Sequence, residues 1–201
     1  MAEAEFLFDF GSPNAYLAHK IIPGIEARTG GRFIYTPILL GGLFKLTGNQ
    51  APMMAFANIP NKIAYEMLEL RRFVARHKLG AFKMNPHFPV NTLMLMRAAV
   101  AAEMDGVLGA YVDAAFHHMW EEPKKMDDPA VALAALSASG LDGERLLARA
   151  QDADVKAKLV ANTEAAAKRG AFGSPTFFVG EDIYFGKNTL REVEEALAQR
   201  G

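Results

Sequence analysis

FLFDFGSPNAYLA, from Phe6 to Ala18, is the stretch that decides the fold of this chain. Its first five residues form a short aromatic-rich run, and Gly11-Ser12-Pro13 interrupts that run. A helical pattern begins at Ala15 and runs to about Arg28. The stretch therefore predicts a strand, a turn and a helix.

The following segment returns to the composition of a strand. Thr29-Gly30-Gly31 ends the helical pattern, and residues 33–38 (FIYTPI) are rich in aromatic and β-branched side chains. A strand, a helix and a second strand in this order make a right-handed crossover between two parallel strands. We expect the chain to begin with a β-α-β unit.

From Pro52 to about Lys168 the pattern is helical. Six amphipathic segments are predicted there: residues 62–79, 91–104, 111–120, 129–138, 143–150 and 155–169, with Asn91 as the N-cap of the second. Strand patterns return at residues 176–179 and 183–185, with a turn at 180–182 and a closing helix at 190–199. The order predicts a split α/β domain, residues 1–48 and 170–201, with an all-helical domain, residues 49–169, inserted in it. We expect the insertion to pack on the α/β part and to form a cleft at the junction.

The composition excludes several classes of protein. The net charge of -1, with scattered lysines and arginines, argues against nucleic-acid binding. No apolar run approaches the roughly 20 residues that a membrane span needs, and the acidic N-terminus is unlike a signal peptide, so we expect a cytoplasmic protein without membrane contact. The absence of cysteine excludes disulfides and dithiol redox chemistry by the protein itself.

Two short segments are candidates for chemistry. Ser12 lies where a helix begins, at the positive end of the helix dipole, and serine is a preferred N-cap; on local features alone, a plain capping role is the favoured interpretation. Ser174-Pro175 directly precedes a strand, where proline has no donor to give to the ladder and where its peptide bond can be cis.

Five segments in order carry a resemblance to a known family: residues 8–13 (FDFGSP), 47–49 (TGN), 87–91 (HFPVN), 170–176 (GAFGSPT) and 185–187 (FGK). Together they resemble the 2-hydroxychromene-2-carboxylate isomerases, relatives of the kappa-class glutathione transferases in the DsbA-like branch of the thioredoxin superfamily. The resemblance implies an α/β fold, a thioredoxin-like domain with an inserted all-helical domain.

The resemblance also implies glutathione as the cofactor. Ser12 then takes the place of the thioredoxin cysteine and holds the glutathione sulfur, while Ser174 and Pro175 pair with its cysteinyl part. Where the family carries Phe/Trp-Gly-x-Asp-Arg-Leu, this chain has Phe185-Gly186-Lys187-Asn188-Thr189-Leu190. Asn188 still accepts a hydrogen bond from the amine of glutathione but brings no charge, and Lys187 is expected to repel that amine.

For the second ligand, a small aromatic carboxylate, the resemblance assigns Lys45 and Asn49, with Asn58 and Phe88 as looser candidates. A solvated surface lysine is an equally good interpretation of Lys45 on local features, and core packing is the favoured interpretation of Phe88. The implied reaction is the glutathione-dependent interconversion of 2-hydroxychromene-2-carboxylate and trans-o-hydroxybenzylidenepyruvate in aromatic catabolism, with a homodimer as the expected assembly.

Other functions remain open on the sequence. A kappa-class-like glutathione transferase or peroxidase and a non-catalytic ligand-binding module both fit the same segments. His117 and His118 are followed by Glu121 and Glu122, but adjacent histidines on a helix point to different faces and no third ligand converges in sequence, so we expect no metal site.

Overall fold

The computed structural model describes all 201 residues and contains a four-stranded mixed sheet. The strands are β1 (Glu3–Phe8), β2 (Arg32–Pro37), β3 (Thr176–Val179) and β4 (Asp182–Phe185), and their order across the sheet is β2-β1-β3-β4. β1 runs parallel to β2 with Phe6 opposite Tyr35, whereas β3 is antiparallel to β1 and to β4. The predicted β-α-β start and closing hairpin are confirmed.

The helices follow the sequence pattern closely. They are α1 (Pro13–Thr29), α2 (Leu40–Thr47), α3 (Pro52–Ala55), α4 (Pro60–Arg76), α5 (Leu93–Met104), α6 (Leu108–Trp120), α7 (Pro129–Ala138), α8 (Gly143–Arg149), α9 (Ala153–Lys168) and α10 (Leu190–Arg200), with a 3₁₀ turn at Lys187–Thr189. Eight of them, α2 to α9, lie between β2 and β3. None of the ten is both long enough and apolar enough to cross a bilayer.

Alternation along β1 gives the sheet two apolar faces. Phe6 and Phe8 lie on one face, where Phe6 stacks on Phe177 with 5.2 Å between ring centroids. Leu7 points to the other face and joins a smaller cluster against α2 and α9. Both faces are covered, so β1 is the buried centre of the fold.

The inserted helices pack on the sheet and share its main core. Phe116 of α6 contacts Phe10 and Phe8, with ring centroids 4.9 and 6.0 Å apart. One cluster of 41 buried residues runs from the sheet through α5, α6 and α7. The expected packing of the insertion on the α/β part is confirmed, and the division into residues 1–48 with 170–201 and residues 49–169 stays a prediction.

Two local predictions differ from the structure. The short helices α2 and α3 are not among the predicted segments, because Gly41-Gly42 interrupts the pattern of α2 and α3 has only four residues. The N-cap of α5 is Thr92 rather than Asn91, and the Thr92 hydroxyl makes no capping hydrogen bond. The Thr92 hydroxyl donates its hydrogen to the carboxylate of Asp9 at 2.7 Å, and Asn91 Oδ1 accepts from the Leu93 N–H at 3.1 Å.

Candidate functional site

Ser12 is the N-cap of α1, as its local sequence predicts. Its Oγ accepts a hydrogen bond from the Ala15 N–H at 3.2 Å, and Pro13 begins the helix. The hydroxyl donates its own hydrogen to the backbone carbonyl of Ser174 at 2.8 Å. No acidic side chain lies in the first turn, so the positive end of the helix dipole is not compensated there.

The partner of Ser12 belongs to the segment before β3. The Ser174-Pro175 peptide bond is cis, and Ser174 is buried. The Ser174 N–H donates to no acceptor in the protein. A backbone donor without a partner beside a carbonyl is the arrangement that an extended peptide needs in order to add like a strand.

Two further predicted residues reach this segment. The Asn49 side-chain amide donates to the carbonyl of Phe172 at 2.8 Å, and the Gly186 N–H donates to the carbonyl of Pro175 at 2.9 Å. The rings of Phe172 and Phe185 are 4.4 Å apart and both are over 40% exposed. The structure therefore gathers Ser12, Asn49 and Gly186 around residues 172–175, beside an exposed aromatic pair.

Gly173 keeps that aromatic pair in place. A Cβ at this position would lie 2.7 Å from a carbon of the Phe185 ring, which is far inside van der Waals contact. Only a glycine leaves room for the Phe185 ring to lie over the segment. The absence of a side chain at Gly173 thus shapes the surface next to Ser174.

Lys187 does not have the free charge that was expected of it. The residue is only 4% exposed, and its ammonium group pairs with the Glu69 carboxylate of α4. It also donates to Asn188 Oδ1 at 3.3 Å and lies 4.8 Å from the centre of the Phe73 ring. The expected repulsion of an amine is corrected, because Glu69 compensates the charge of Lys187.

The three remaining predicted residues, Lys45, Asn58 and Phe88, lie outside the hydrogen bonds that join Ser12 and Ser174. Lys45 is exposed on α2 without an ion pair, and Asn58 is exposed between α3 and α4 without a side-chain hydrogen bond. Phe88 is 36% exposed, with its ring centroid 6.0 Å from that of Trp120, so core packing is the wrong interpretation for it. None of the three bonds to Ser12 or Ser174.

Asp9 is a residue that sequence reasoning missed. Its carboxylate is fully buried and accepts hydrogen bonds from Gly11 N–H, Leu40 N–H and the Thr92 hydroxyl, at 2.8, 2.8 and 2.7 Å. Burial raises its pKa above the ordinary value, and the three donors oppose that shift. The signal was present in the sequence: Asp9 is the one acidic residue among the aromatic residues 6–10.

A cleft at the junction of the sheet domain and the insertion is present, but the predicted residues do not line it. It has a volume of about 580 Å³ and lies between α1 and α6. Glu121 accepts from the Tyr16 hydroxyl at 2.9 Å and pairs with Lys20 at 3.1 Å on its wall. Burial raises the pKa of Glu121, but the hydrogen bonds from His117, Lys20 and Tyr16 outweigh it and lower the pKa, so the polar groups of this wall already pair with one another.

The two histidines of α6 come closer to one another than expected. Ligating atoms of His117, His118 and Glu122 lie within 4.8 Å of one another, which corrects the view that the adjacent rings point apart. The Lys124 ammonium group lies 2.8 Å from His118 Nδ1 and 3.4 Å from Glu122. A positive charge therefore already stands among these groups, and the expectation of no metal site stays a prediction.

The chain is similar to proteins of a known family. A model described as "DSBA-like thioredoxin domain" matches residues 4–198. The chain is 28% identical to a 2-hydroxychromene-2-carboxylate isomerase from Sphingobium xenophagum, over 96% of each chain, and 26% identical to glutathione S-transferase kappa 1 from Rattus norvegicus, over 98% of this chain and 91% of the relative. A solved structure of a 2-hydroxychromene-2-carboxylate isomerase superposes with a TM-score of 0.82 at 23% identity, covering 98% of this chain and 95% of that one.

These matches confirm the resemblance and the fold that the five sequence segments predict. The match to the solved isomerase bears on the fold, while the two curated relatives show that isomerases and kappa-class transferases are both similar to this chain over nearly its full length. Because the family model covers residues 4–198, the chain belongs to the family of DSBA-like thioredoxin domains.

Proposed function

We propose that this chain is a glutathione-dependent isomerase that interconverts 2-hydroxychromene-2-carboxylate and trans-o-hydroxybenzylidenepyruvate. The observation that carries the proposal is the Ser12 hydroxyl, held at the start of α1 against the backbone of Ser174 in a chain without cysteine. A thiol in this site has to come from a ligand. The similarity to curated isomerases supports the same choice of reaction.

Glutathione binds, in this proposal, along the segment before β3. The free Ser174 N–H donates to the cysteinyl carbonyl, and the Ser174 carbonyl accepts the cysteinyl N–H, as in an added strand. Pro175, Phe185 and Gly186 form the adjoining surface, and Asn188 offers a neutral acceptor to the γ-glutamyl amine. Lys187 contributes by holding Asn188 rather than by contacting the ligand.

The sulfur then lies at the N-terminus of α1. The hydroxyl of Ser12 has one hydrogen, so it turns from the Ser174 carbonyl to the sulfur when the ligand occupies the site. A hydroxyl donor and the helix dipole both favour the thiolate over the thiol, which lowers the pKa of the bound glutathione. The reactive anion is thereby enriched near neutral pH.

The chemistry requires no redox change. The ring of the hydroxychromene first opens: the C–O bond to the ring oxygen breaks, the hydroxyl on the same carbon loses its proton and becomes the carbonyl, and the phenol oxygen takes up a proton. The thiolate then forms a C–S bond at the far end of the double bond conjugated with that carbonyl, and the electron pair moves to the carbonyl oxygen. The former double bond rotates as a single bond, and reversal of the addition breaks the C–S bond and releases the thiolate. In this proposal Lys45 and Asn49 hold the substrate carboxylate, and Asn58 and Phe88 border it.

The test is isomerisation of 2-hydroxychromene-2-carboxylate, followed by absorbance with and without glutathione. Ser12→Ala removes a hydrogen bond to a charged sulfur, worth about 1.5–3 kcal/mol, so we expect turnover near neutral pH to fall roughly tenfold to a hundredfold. Ser137→Ala, at an exposed position in α7, is the matched control and keeps full activity. Absence of thiol-dependent turnover in the unmodified protein would contradict the proposal.

A kappa-class-like glutathione transferase or peroxidase is the second candidate. Two curated kappa-class transferases, from Rattus norvegicus and Homo sapiens, are 26% and 25% identical to the chain, close to the identity of the isomerases. Conjugation of chlorinated aromatic acceptors, or reduction of hydroperoxides, at rates above that of the isomerisation would favour this candidate. Calorimetric binding of glutathione without any turnover would instead favour a ligand-binding module.

The assembly and the location belong to the same proposal. We propose a homodimer, as the family resemblance implies, and a cytoplasmic location, as the composition implies. Light scattering on the purified protein gives its mass in solution, and a mass equal to that of one chain would contradict the dimer. Fractionation of cells that produce the full chain tests the location.

A further inference from the structure

The Asp9 carboxylate is an unusual group for the centre of this fold. It lies at the end of β1, is fully buried and has no cationic partner. Burying a charge without compensation costs several kcal/mol, so three donors at 2.7–2.8 Å are what allow the carboxylate to stay there. A hydrophobic residue would fill the same space without that requirement.

Each of the three donors begins a different segment of the candidate site. Gly11 N–H opens the turn that carries Ser12, and the Ser12 N–H itself donates to the Asp9 carbonyl at 3.0 Å. Leu40 N–H lies in the first turn of α2, the helix that carries Lys45 and leads to Asn49. Thr92 begins α5 and ends the loop of residues 87–91 that carries Phe88.

We propose that Asp9 is a positioning residue that fixes the thiol-holding turn at Ser12 relative to the two segments, residues 40–49 and 87–92, that border the second ligand. The proposal rests on the proposed function. Addition of a thiolate to a double bond requires both reactants at a defined separation, and a displacement of about 1 Å can lower the rate roughly a hundredfold. Because the Asp9 carboxylate is bonded to all three segments, it holds them at fixed distances from one another.

The pattern of the hydrogen bonds explains why an acid is needed. The two backbone donors lie on different oxygens, Gly11 N–H on Oδ1 and Leu40 N–H on Oδ2. An amide has a single acceptor oxygen, so asparagine at this position always leaves one of the two backbone groups facing an N–H₂ donor. Packing is equally tight, because a Cβ on Gly11 would lie 3.3 Å from both Asp9 Oδ1 and Thr92 Cγ2.

The experiment uses Asp9→Asn and Thr92→Val, with Thr92→Ser as the conservative control. Amide hydrogen exchange on the full chain is the readout that needs no activity. We expect Asp9→Asn to speed exchange at least tenfold in residues 40–49, because its one oxygen stays with Gly11 and Thr92 while its N–H₂ group faces the Leu40 N–H. We expect Thr92→Val to speed exchange only in residues 87–93. Thr92→Ser keeps the hydroxyl and retains the unmodified pattern. Exchange in β3 and β4 stays unchanged throughout.

Kinetics complete the test where the unmodified protein turns over. Asp9→Asn should lower kcat for the isomerisation tenfold or more, with the dissociation constant of glutathione, measured by calorimetry, changed less than threefold, because Ser174 rather than Asp9 holds its peptide part. Exchange that is unchanged, or that rises evenly over the whole chain, overturns the proposal, as does a Thr92→Val variant with faster exchange in residues 40–49. A protein without thiol-dependent turnover overturns the proposed function alone, and the exchange data still decide the role of Asp9. If Asp9→Asn does not fold, Thr92→Val decides it.

Discussion

Replacing Glu69 by glutamine should destabilise the protein more than its place on a partly exposed helix suggests. The Lys187 ammonium group is buried, and the Glu69 carboxylate is its only charged partner. Its other contacts are the neutral oxygen of Asn188 and the face of the Phe73 ring. Glu69→Gln keeps the size of the side chain and removes the compensating charge.

The structure sets the size of the effect. Breaking a buried ion pair on one side costs about 3–5 kcal/mol. The Glu69 side chain is 26% exposed, so water can approach the pair and we expect a smaller loss, about 2–3 kcal/mol. For a chain of this length that corresponds to a melting temperature lowered by roughly 5–10 °C.

The opposite deletion is predicted to be mild. Lys187→Met places an apolar chain of similar length against the Phe73 ring, and the Glu69 carboxylate it leaves behind can turn to water. We expect a change within about 1 kcal/mol. The two variants are therefore expected to differ in stability although both break the ion pair between Glu69 and Lys187.

Urea unfolding followed by circular dichroism measures all of these free energies. Glu66→Gln is the matched control, because Glu66 lies on the same helix, is half exposed and pairs with Lys62 at 3.7 Å; its expected cost is about 0.5 kcal/mol or less. The double variant Glu69→Gln/Lys187→Met should return to the stability of Lys187→Met. A Glu69→Gln variant no less stable than Glu66→Gln would refute the reasoning.

Two other predictions concern single residues. Gly173→Ala should displace the Phe185 ring at a cost of about 1 kcal/mol or less in thermal unfolding, because the contacting carbons lie at the far end of a 44% exposed side chain, whereas Gly41→Ala, at a helical position with open space, should be neutral or stabilising; equal effects would contradict the contact. Burial, reinforced by the Lys124 ammonium group, lowers the pKa of His118 below 6.5, so the folded state binds its proton less readily than the unfolded state and stability should fall as the pH drops below about 6.5. An NMR titration of the His118 ring with its midpoint at or above 6.5 would contradict this.

Local patterns were sufficient for most of the fold. The aromatic run of β1, the glycines that end α1 and the long helical block each reflect short-range chemistry, and the structure has elements at those places. The helix α2 was missed for a physical reason. It is short and has Gly41-Gly42 in its first turn. Distant groups hold its start: the Leu40 N–H donates to Asp9 and the preceding Leu39 N–H donates to Thr163.

Part of the candidate site also follows from the local sequence, and part depends on residues that are distant in the chain. Ser12 as a helix cap follows from its neighbours in sequence, but its hydrogen-bond partner Ser174 lies 162 residues away, and only the family resemblance assigned both residues to one glutathione site. The partnership of Lys187 with Glu69, 118 residues apart, left no trace in either local pattern. Ion pairs between residues that are far apart in the chain cannot be predicted from a single sequence.

If glutathione binds as proposed, the hydrogen bond from Ser12 to Ser174 favours thiols that carry a backbone amide. A small thiol without an amide would take the hydroxyl hydrogen and leave the Ser174 carbonyl with no donor in return. A cysteinyl peptide donates its own N–H to the Ser174 carbonyl when its sulfur binds the Ser12 hydroxyl. In that proposal, Ser12 distinguishes a cysteinyl peptide from a thiol that has no backbone.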